Sequence, residues 1–234
     1  MSTDSDRSKA VLCLSGGMDS CVCAALAARE HDVYALHFSY GQRTEQRELK
    51  AARAVADRIG AREFMHLTMD LFRRIGGSAL TDSTIAIPAA EADSSIGAEV
   101  PVTYVPFRNA HFLSAAVSWA EVIGAGTVWI GAVEQDSSGY PDCRPAYYEA
   151  VNQLIRTGTR DGTIRVETPL IALRKSEIVV LGVEVAAPLD VTWSCYSGVQ
   201  EACGVCESCV LRLRAFTAAG VVDPLPYARS AHTP

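Results

Sequence analysis

Two groups of residues in this 234-residue chain have types and spacing suited to chemistry. The first is Leu14-Ser15-Gly16-Gly17-Met18-Asp19-Ser20, which joins the apolar run at 9–14 to the apolar segment at 21–28. Two glycines permit positive φ and close backbone approach. A helix beginning there offers unpaired N–H groups, and the Ser15 and Ser20 hydroxyls can donate to phosphate oxygens. The loop therefore reads as an anion cradle. Asp19 within it suits either a Mg²⁺ ligand or a helix cap, a role Ser20 also fits. Neither G-x-x-x-x-G-K-[ST] nor G-x-G-x-x-G occurs here, so the two commonest phosphate-loop patterns do not describe it.

The second group is Cys195, Cys203, Cys206 and Cys209, spaced C-x7-C-x2-C-x2-C with Gly204 available for a tight turn. Four thiolates this close complete a tetrahedral shell around Zn²⁺. An iron–sulfur cluster is the rival, but the x3-C-P that continues the bacterial ferredoxin run is missing. With all four ligands supplied by protein there is no open coordination position, so such a metal is structural. Cys13, Cys21 and Cys23 read as small buried apolar residues, and Cys143, like them, lacks metal spacing.

Elements that position these groups follow from the pattern of apolar residues. Residues 9–14, 32–38, 63–67, 102–105 and 127–131 read as strands, and 21–28, 44–59, 109–123, 146–155 and 211–219 as helices, with a short helix from Lys175. In the helix at 44–59, Leu49, Ala52, Val55, Ala56 and Ile59 form the apolar face, and Gly60 ends it. Residues 76–100, rich in Gly, Ser, Ala and acids, read as a long loop or flap able to close over a site. Alternating strands and helices predict an α/β, Rossmann-like, doubly wound parallel sheet with a small C-terminal zinc-binding subdomain. The expected division is an α/β domain at 9–185 and a zinc-binding and helical segment at 186–227, with disorder at 1–8 and 228–234. In such a sheet the glycine loop sits where ligands bind, at the carboxyl end of the first strand.

With a net charge of −6, no overall basic field exists to hold a phosphate backbone, so direct nucleic-acid binding is not expected. No apolar run approaches the roughly 20 residues of a membrane helix, and the first ten residues lack an apolar signal region. A cytoplasmic protein with reduced cysteines is expected.

The segment Ser15-Gly16-Gly17-Met18-Asp19-Ser20 resembles the SGGxDS motif of the PP-loop ATP-pyrophosphatase superfamily. That resemblance implies a grip on the β and γ phosphates of ATP, with attack at the α phosphorus, hence adenylation. Six further segments, in order, resemble the 7-cyano-7-deazaguanine synthase family. They are Tyr40-Gly41-Gln42-Arg43, Val105-Pro106-Phe107-Arg108-Asn109, Ser138-Gly139-Tyr140-Pro141-Asp142-Cys143-Arg144, Thr168-Pro169-Leu170, Lys175-Ser176-Glu177-Ile178 and Thr192-Trp193-Ser194-Cys195-Tyr196. Together they cover nearly the whole chain.

The resemblance implies an ATP-dependent carbon–nitrogen ligase of queuosine biosynthesis. Its small-molecule partners would be 7-carboxy-7-deazaguanine and ammonia, its cofactors ATP, Mg²⁺ and Zn²⁺, and its expected assembly a homodimer. On the matched positions, Asp19, Arg108 and Lys175 are the catalytic candidates, Arg108 and Lys175 neutralising phosphates or developing charge. Gln42 and Arg43, just past the second strand, would meet the nucleotide or the substrate carboxylate, or else serve the loop's own structure. Asp136 and Asp142 would accept hydrogen bonds from the N1–H and exocyclic amine of the base, or form turns beside Gly and Pro, while Tyr140 would stack on it. Two other readings stay open: a relative that passes the activated acid to another amine, such as a protein amino group in a defence system, and a non-catalytic zinc-containing nucleotide-binding module.

Overall fold

A computed structural model of the chain describes residues 7–90, 100–134, 139–198 and 200–228. Asp136 therefore lies outside the described residues, as do most of the termini expected to be disordered. Arg7 and Ser8 are held, Arg7 donating to Ala28 O (2.7 Å) and Ser8 pairing with His31 Nδ1 (2.7 Å).

Five strands form one parallel sheet in the order β3-β2-β1-β4-β5. They are β1 (Lys9–Cys13), β2 (Asp32–Ser39), β3 (Glu63–Thr68), β4 (Thr127–Ile130) and β5 (Arg165–Glu167). The central strands are doubly buried and lack polar alternation, as parallel strands covered on both faces require. One face packs with α1 (Met18–Glu30), α2 (Glu45–Ile59), α6 (Lys175–Glu184) and α7 (Glu207–Ala219), where Leu12, Val22, Val55, Ile178 and Phe216 share a cluster. The other face packs with α4 (Arg108–Ile123) and α5 (Pro145–Gly158) through Val11, Leu36, Leu113, Val128 and Tyr148. A one-turn helix, α3 (Leu71–Ile75), follows β3 and buries Phe72. This strand order reverses direction at β1, which places the loop after β1 at the ligand-binding edge of the sheet.

Two expectations for the sheet need correction. Residues 102–105 are not a strand: Pro101 and Pro106 bracket them, neither can donate a backbone hydrogen bond, and the segment instead lies against 78–80 through Ala79 N–H to Val102 O (2.8 Å). The fifth strand is Arg165–Glu167, whose three residues, two of them charged, form a short edge that periodicity does not reveal.

Of the segment at 76–100, residues 91–99 lie outside the described residues. The preceding part is docked, with Ala89 bridging to Cys206 and Ala90 N–H donating to Val205 O (2.8 Å).

Candidate active site and metal centre

The glycine loop adopts the close approach its composition predicts. Gly16 has φ +89°, and a Cβ there would stand 2.6 Å from Glu48 O, so the loop rests directly on α2. Gly131, at the end of β4, is equally constrained by the start of α1: its Cβ would lie 2.8 Å from the Asp19 carbonyl oxygen. The N-cap of α1 is Gly17, and no side chain caps the helix. Neither Asp19 nor Ser20 therefore serves as the cap that their residue types suggested. The first-turn N–H groups of this thirteen-residue helix point into the loop instead, an arrangement suited to an anion. Ser15 Oγ donates to Ser20 Oγ (2.9 Å), which donates to Gly17 O (3.0 Å), so both hydroxyls are oriented within the cradle.

Asp19 and Lys175 come together from opposite ends of the sequence, Lys175 Nζ to Asp19 Oδ2 at 2.7 Å. The pairing is set by α6 starting at Lys175 beside the N-terminus of α1. Asp19 Oδ1 is buried without a partner.

Arg108 opens α4 directly after Phe107, a non-glycine residue in the left-handed region at φ 58°. Such strain persists only where surrounding structure fixes it. Arg108 Nη1 donates to Tyr40 OH (2.8 Å), the guanidinium stands 5.3 Å from the Tyr40 ring and 5.7 Å from the Phe112 ring, and Nε is buried without a partner. All three catalytic candidates border one cavity, whose lining also includes Tyr140, Cys143, Trp193 and Tyr196. Burial pushes the Cys143 thiol up to about 11, so it stays protonated at neutral pH.

Other predicted residues are placed differently. Gln42 is buried in the turn after β2: its Oε1 accepts from Tyr40 N–H (2.8 Å) and its Nε2 donates to Phe38 O (3.3 Å) and Glu48 Oε2 (3.0 Å). Arg43 donates to the carbonyls of Ala79 (2.8 Å), Asp82 (3.1 Å) and Ile85 and does not border the cavity. Its guanidinium is used in holding the 79–85 loop. Asp142 accepts from Asn109 N–H at the start of α4 (3.3 Å), with Oδ1 buried and unpartnered, and it too is absent from the cavity wall. Burial raises its carboxyl above the ordinary range, against the lowering effect of Arg108. Tyr140 does border the cavity, with its hydroxyl 3.0 Å from Thr103 Oγ1.

Glu48, His37 and Arg212 border the cavity and carry no motif signal. Glu48 on α2 accepts from Thr44 Oγ1 (2.7 Å) and from Gln42. Burial raises its carboxyl above the ordinary value, opposed by those two bonds and by Arg108. His37 on β2 pairs through Nδ1 with Leu14 O (2.8 Å), and desolvation lowers it to about 4. Arg212 on α7, 2% exposed, grips Asp223 with two 2.8 Å bonds and donates to Thr192 Oγ1 (2.8 Å) and Ser194 Oγ (3.3 Å). Between those residues, Trp193 N–H donates to Gly16 O (2.8 Å), which ties the C-terminal segment to the glycine loop.

The ligand atoms of Cys195, Cys203, Cys206 and Cys209 all lie within 4.8 Å of one another, and Cys203 Sγ is 3.9 Å from Cys209 Sγ. A tetrahedron of sulfurs at a Zn–S distance of about 2.3 Å has edges of about 3.8 Å, so the four thiols fit such an ion. The N–H groups of Gly198 (3.0 Å) and Cys203 (3.3 Å) donate to Cys195 Sγ, an arrangement that favours a thiolate there. Thr44 Oγ1 lies 3.2 Å from Cys195 O and Trp193 Nε1 donates to it (3.1 Å), so the cluster is fastened to α2 and to the segment gripping the glycine loop.

The chain is similar to known proteins over nearly its whole length. A curated 7-cyano-7-deazaguanine synthase of Acidobacterium capsulatum is 73% identical over 223 residues, covering 95% of this chain and 97% of that one. Another, of Koribacter versatilis, is 63% identical over 226 residues, covering 95% and 94%. Among solved structures, NMN synthetase from Francisella tularensis matches at 14% identity with a TM-score of 0.46, over 92% of this chain and 78% of that one. NAD⁺ synthetase from Burkholderia pseudomallei matches at 16% with a TM-score of 0.46, over 96% and 77%. The model of the family described as "Queuosine biosynthesis protein QueC" spans residues 9–220, and this chain belongs to that family.

Proposed function

We propose that this chain converts 7-carboxy-7-deazaguanine to 7-cyano-7-deazaguanine with ATP and ammonia, as an ATP-dependent carbon–nitrogen ligase of queuosine biosynthesis. The observation that carries the reading is the single cavity in which the uncapped N-terminus of α1, Lys175 and Arg108 meet beside aromatic side chains. A carboxylate resists attack by ammonia because oxide is a poor leaving group. Attack of a carboxylate oxygen on the α phosphorus of ATP expels pyrophosphate and leaves an acyl adenylate, from which ammonia displaces AMP to give the amide. In a second activation the amide oxygen attacks the α phosphorus of another ATP and expels pyrophosphate, and loss of AMP and of both amide protons forms the nitrile.

The protein's part is to position and to stabilise charge. In this reading the first-turn N–H groups of α1 with Ser15 and Ser20 hold the phosphates that leave together, and Leu14 to Met18 shape the backbone around them. Lys175 offsets the negative charge that builds on the leaving group, oriented by Asp19. Arg108, with Nε free of protein partners, meets the reacting carboxylate or the α phosphate. Asp19, through its unpartnered Oδ1, is the group that would hold Mg²⁺, which when bound neutralises phosphate charge. The four cysteines hold Zn²⁺ as a structural ion. Tyr140 is the stacking partner for the base. Ammonia as acceptor and the homodimer rest on the family resemblance, and the cytoplasmic location on the reading of the sequence; no helix among the described residues is long and apolar enough to cross a membrane.

Mass spectrometry of a reaction containing protein, ATP, Mg²⁺, the acid and ammonium, with and without ammonium, tests the reading. The nitrile, AMP and pyrophosphate are the expected products. AMP without nitrile would redirect the activated acid to another amine, and no AMP with any deazaguanine acid would overturn the enzyme reading.

A further inference from the structure

Asp142 accepts from the start of α4 and Gln42 is buried in its own turn, and neither borders the cavity, while Asp136 lies outside the described residues. Two carboxylates among the described residues border the cavity: Asp19, which carries Lys175, and Glu48. The two oxygens of Glu48 are fixed from behind. Thr44 Oγ1 donates to Oε1 at 2.7 Å, Gln42 Nε2 donates to Oε2 at 3.0 Å, and Gln42 is itself locked because its Oε1 accepts from Tyr40 N–H. Each oxygen keeps a lone pair beyond those bonds. The ring of Tyr40, the guanidinium of Arg108, and the rings of Phe112, Tyr140 and Tyr196 border the same cavity. An oriented carboxylate with two spare acceptor positions beside flat aromatic walls complements a planar heterocycle that shows two adjacent N–H donors on one edge.

We propose that Glu48 reads the 2-amino-6-oxo edge of the substrate base, accepting from its ring N1–H and its exocyclic amine, and so sets specificity for guanine-type over hypoxanthine-type 7-deazapurine acids. The assignment rests on the function proposed above and supplies its base subsite. Burial raises the Glu48 carboxyl above the ordinary carboxylate range; the bonds from Thr44 and Gln42 and the Arg108 guanidinium on α4 act in the opposite sense, and Glu45 on its own helix adds to the rise. A site built to hydrogen-bond a donor rejects the analogue lacking it, because its own polar group is then left unpaired.

Equilibrium binding and turnover are to be measured with 7-carboxy-7-deazaguanine and with its analogue lacking the exocyclic amine, on the intact protein and on Glu48→Gln and Glu48→Asp. The intact protein is expected to bind the guanine-type acid about 10- to 100-fold more tightly than the analogue. In Glu48→Gln that ratio is expected to collapse to within about threefold, with KM for the acid raised and KM for ATP unchanged, and Glu48→Asp is expected to recover part of it. A folded Glu48→Gln protein that keeps the full ratio overturns the assignment, as does an intact protein that binds both acids equally, a result independent of any variant. Failure of the intact protein to bind or turn over either acid would instead overturn the proposed function, so the two failures are distinguishable.

Discussion

Asp19 carries Lys175 on one carboxylate oxygen, and among the described residues its other oxygen is buried without a partner, which suits the cation proposed for it. If Lys175 offsets leaving-group charge, Lys175→Met should slow pyrophosphate release about 100-fold or more in a single-turnover assay, a loss typical of one removed transition-state donor. Release within about threefold of the parent would remove Lys175 from the mechanism. His37 makes a different prediction. Desolvation lowers its folded-state value from 6.5 to about 4, so below pH 6.5 the unfolded chain takes up a proton that the native state refuses. Stability is therefore lost as pH falls from about 6.5 toward 4, by about 2–3 kcal/mol for this group. Urea titrations should show His37→Gln losing less stability than the parent over that window. An unchanged acid limb would mean that His37 is not the group responsible. At this scale the glycine loop and the four cysteines were legible because their types and spacing are rare by chance, whereas Lys175 was singled out only through the family resemblance. Glu48 and Arg212 were hidden: Glu48 lies in the run Glu45-Gln46-Arg47-Glu48, which reads as a solvated helix face, and Arg212 lies between leucines in a helix otherwise read as a closing element.

Among the elements, α7 does more than close the chain. It begins at the cysteine cluster, carries Cys209 and buries Arg212 between Asp223 and the 192–194 segment that holds Gly16. Removing one partner of a buried ion pair leaves an uncompensated charge and costs about 3–5 kcal/mol. Arg212→Met and Asp223→Asn should each lower stability by about that amount in denaturant titration, and the double variant by clearly less than their sum. Additive losses would show that the pair does not act as a unit. Strands β1, β2 and β4 were legible because doubly buried parallel strands are continuous apolar runs. The misreading of 102–105 came from the same rule applied to a short apolar stretch without regard to the prolines at both ends. β5 was missed because an edge strand of three residues is specified by its pairing with β4, not by its own pattern.

Across the whole molecule, the reversal of strand order at β1 brings residues from positions as far apart as Ser15, Arg108, Lys175 and Arg212 to one cavity at the carboxyl edge of the sheet. The C-terminal segment contributes to the same body, since Ala215 and Phe216 share a cluster with Leu12 and Val22. An α/β fold and the end of the sheet where ligands bind were readable from the alternation of elements. The convergence of α2 and α7 on that site was not, because it depends on packing between residues far apart in sequence. The central claim is that the carboxylate is activated at the α phosphorus. Mass spectrometry of AMP formed from 7-carboxy-7-deazaguanine labelled with ¹⁸O in its carboxylate tests that most directly. Transfer of ¹⁸O into AMP, with none in pyrophosphate, is the result this account predicts. Unlabelled AMP, or ¹⁸O appearing in pyrophosphate or inorganic phosphate, would contradict it.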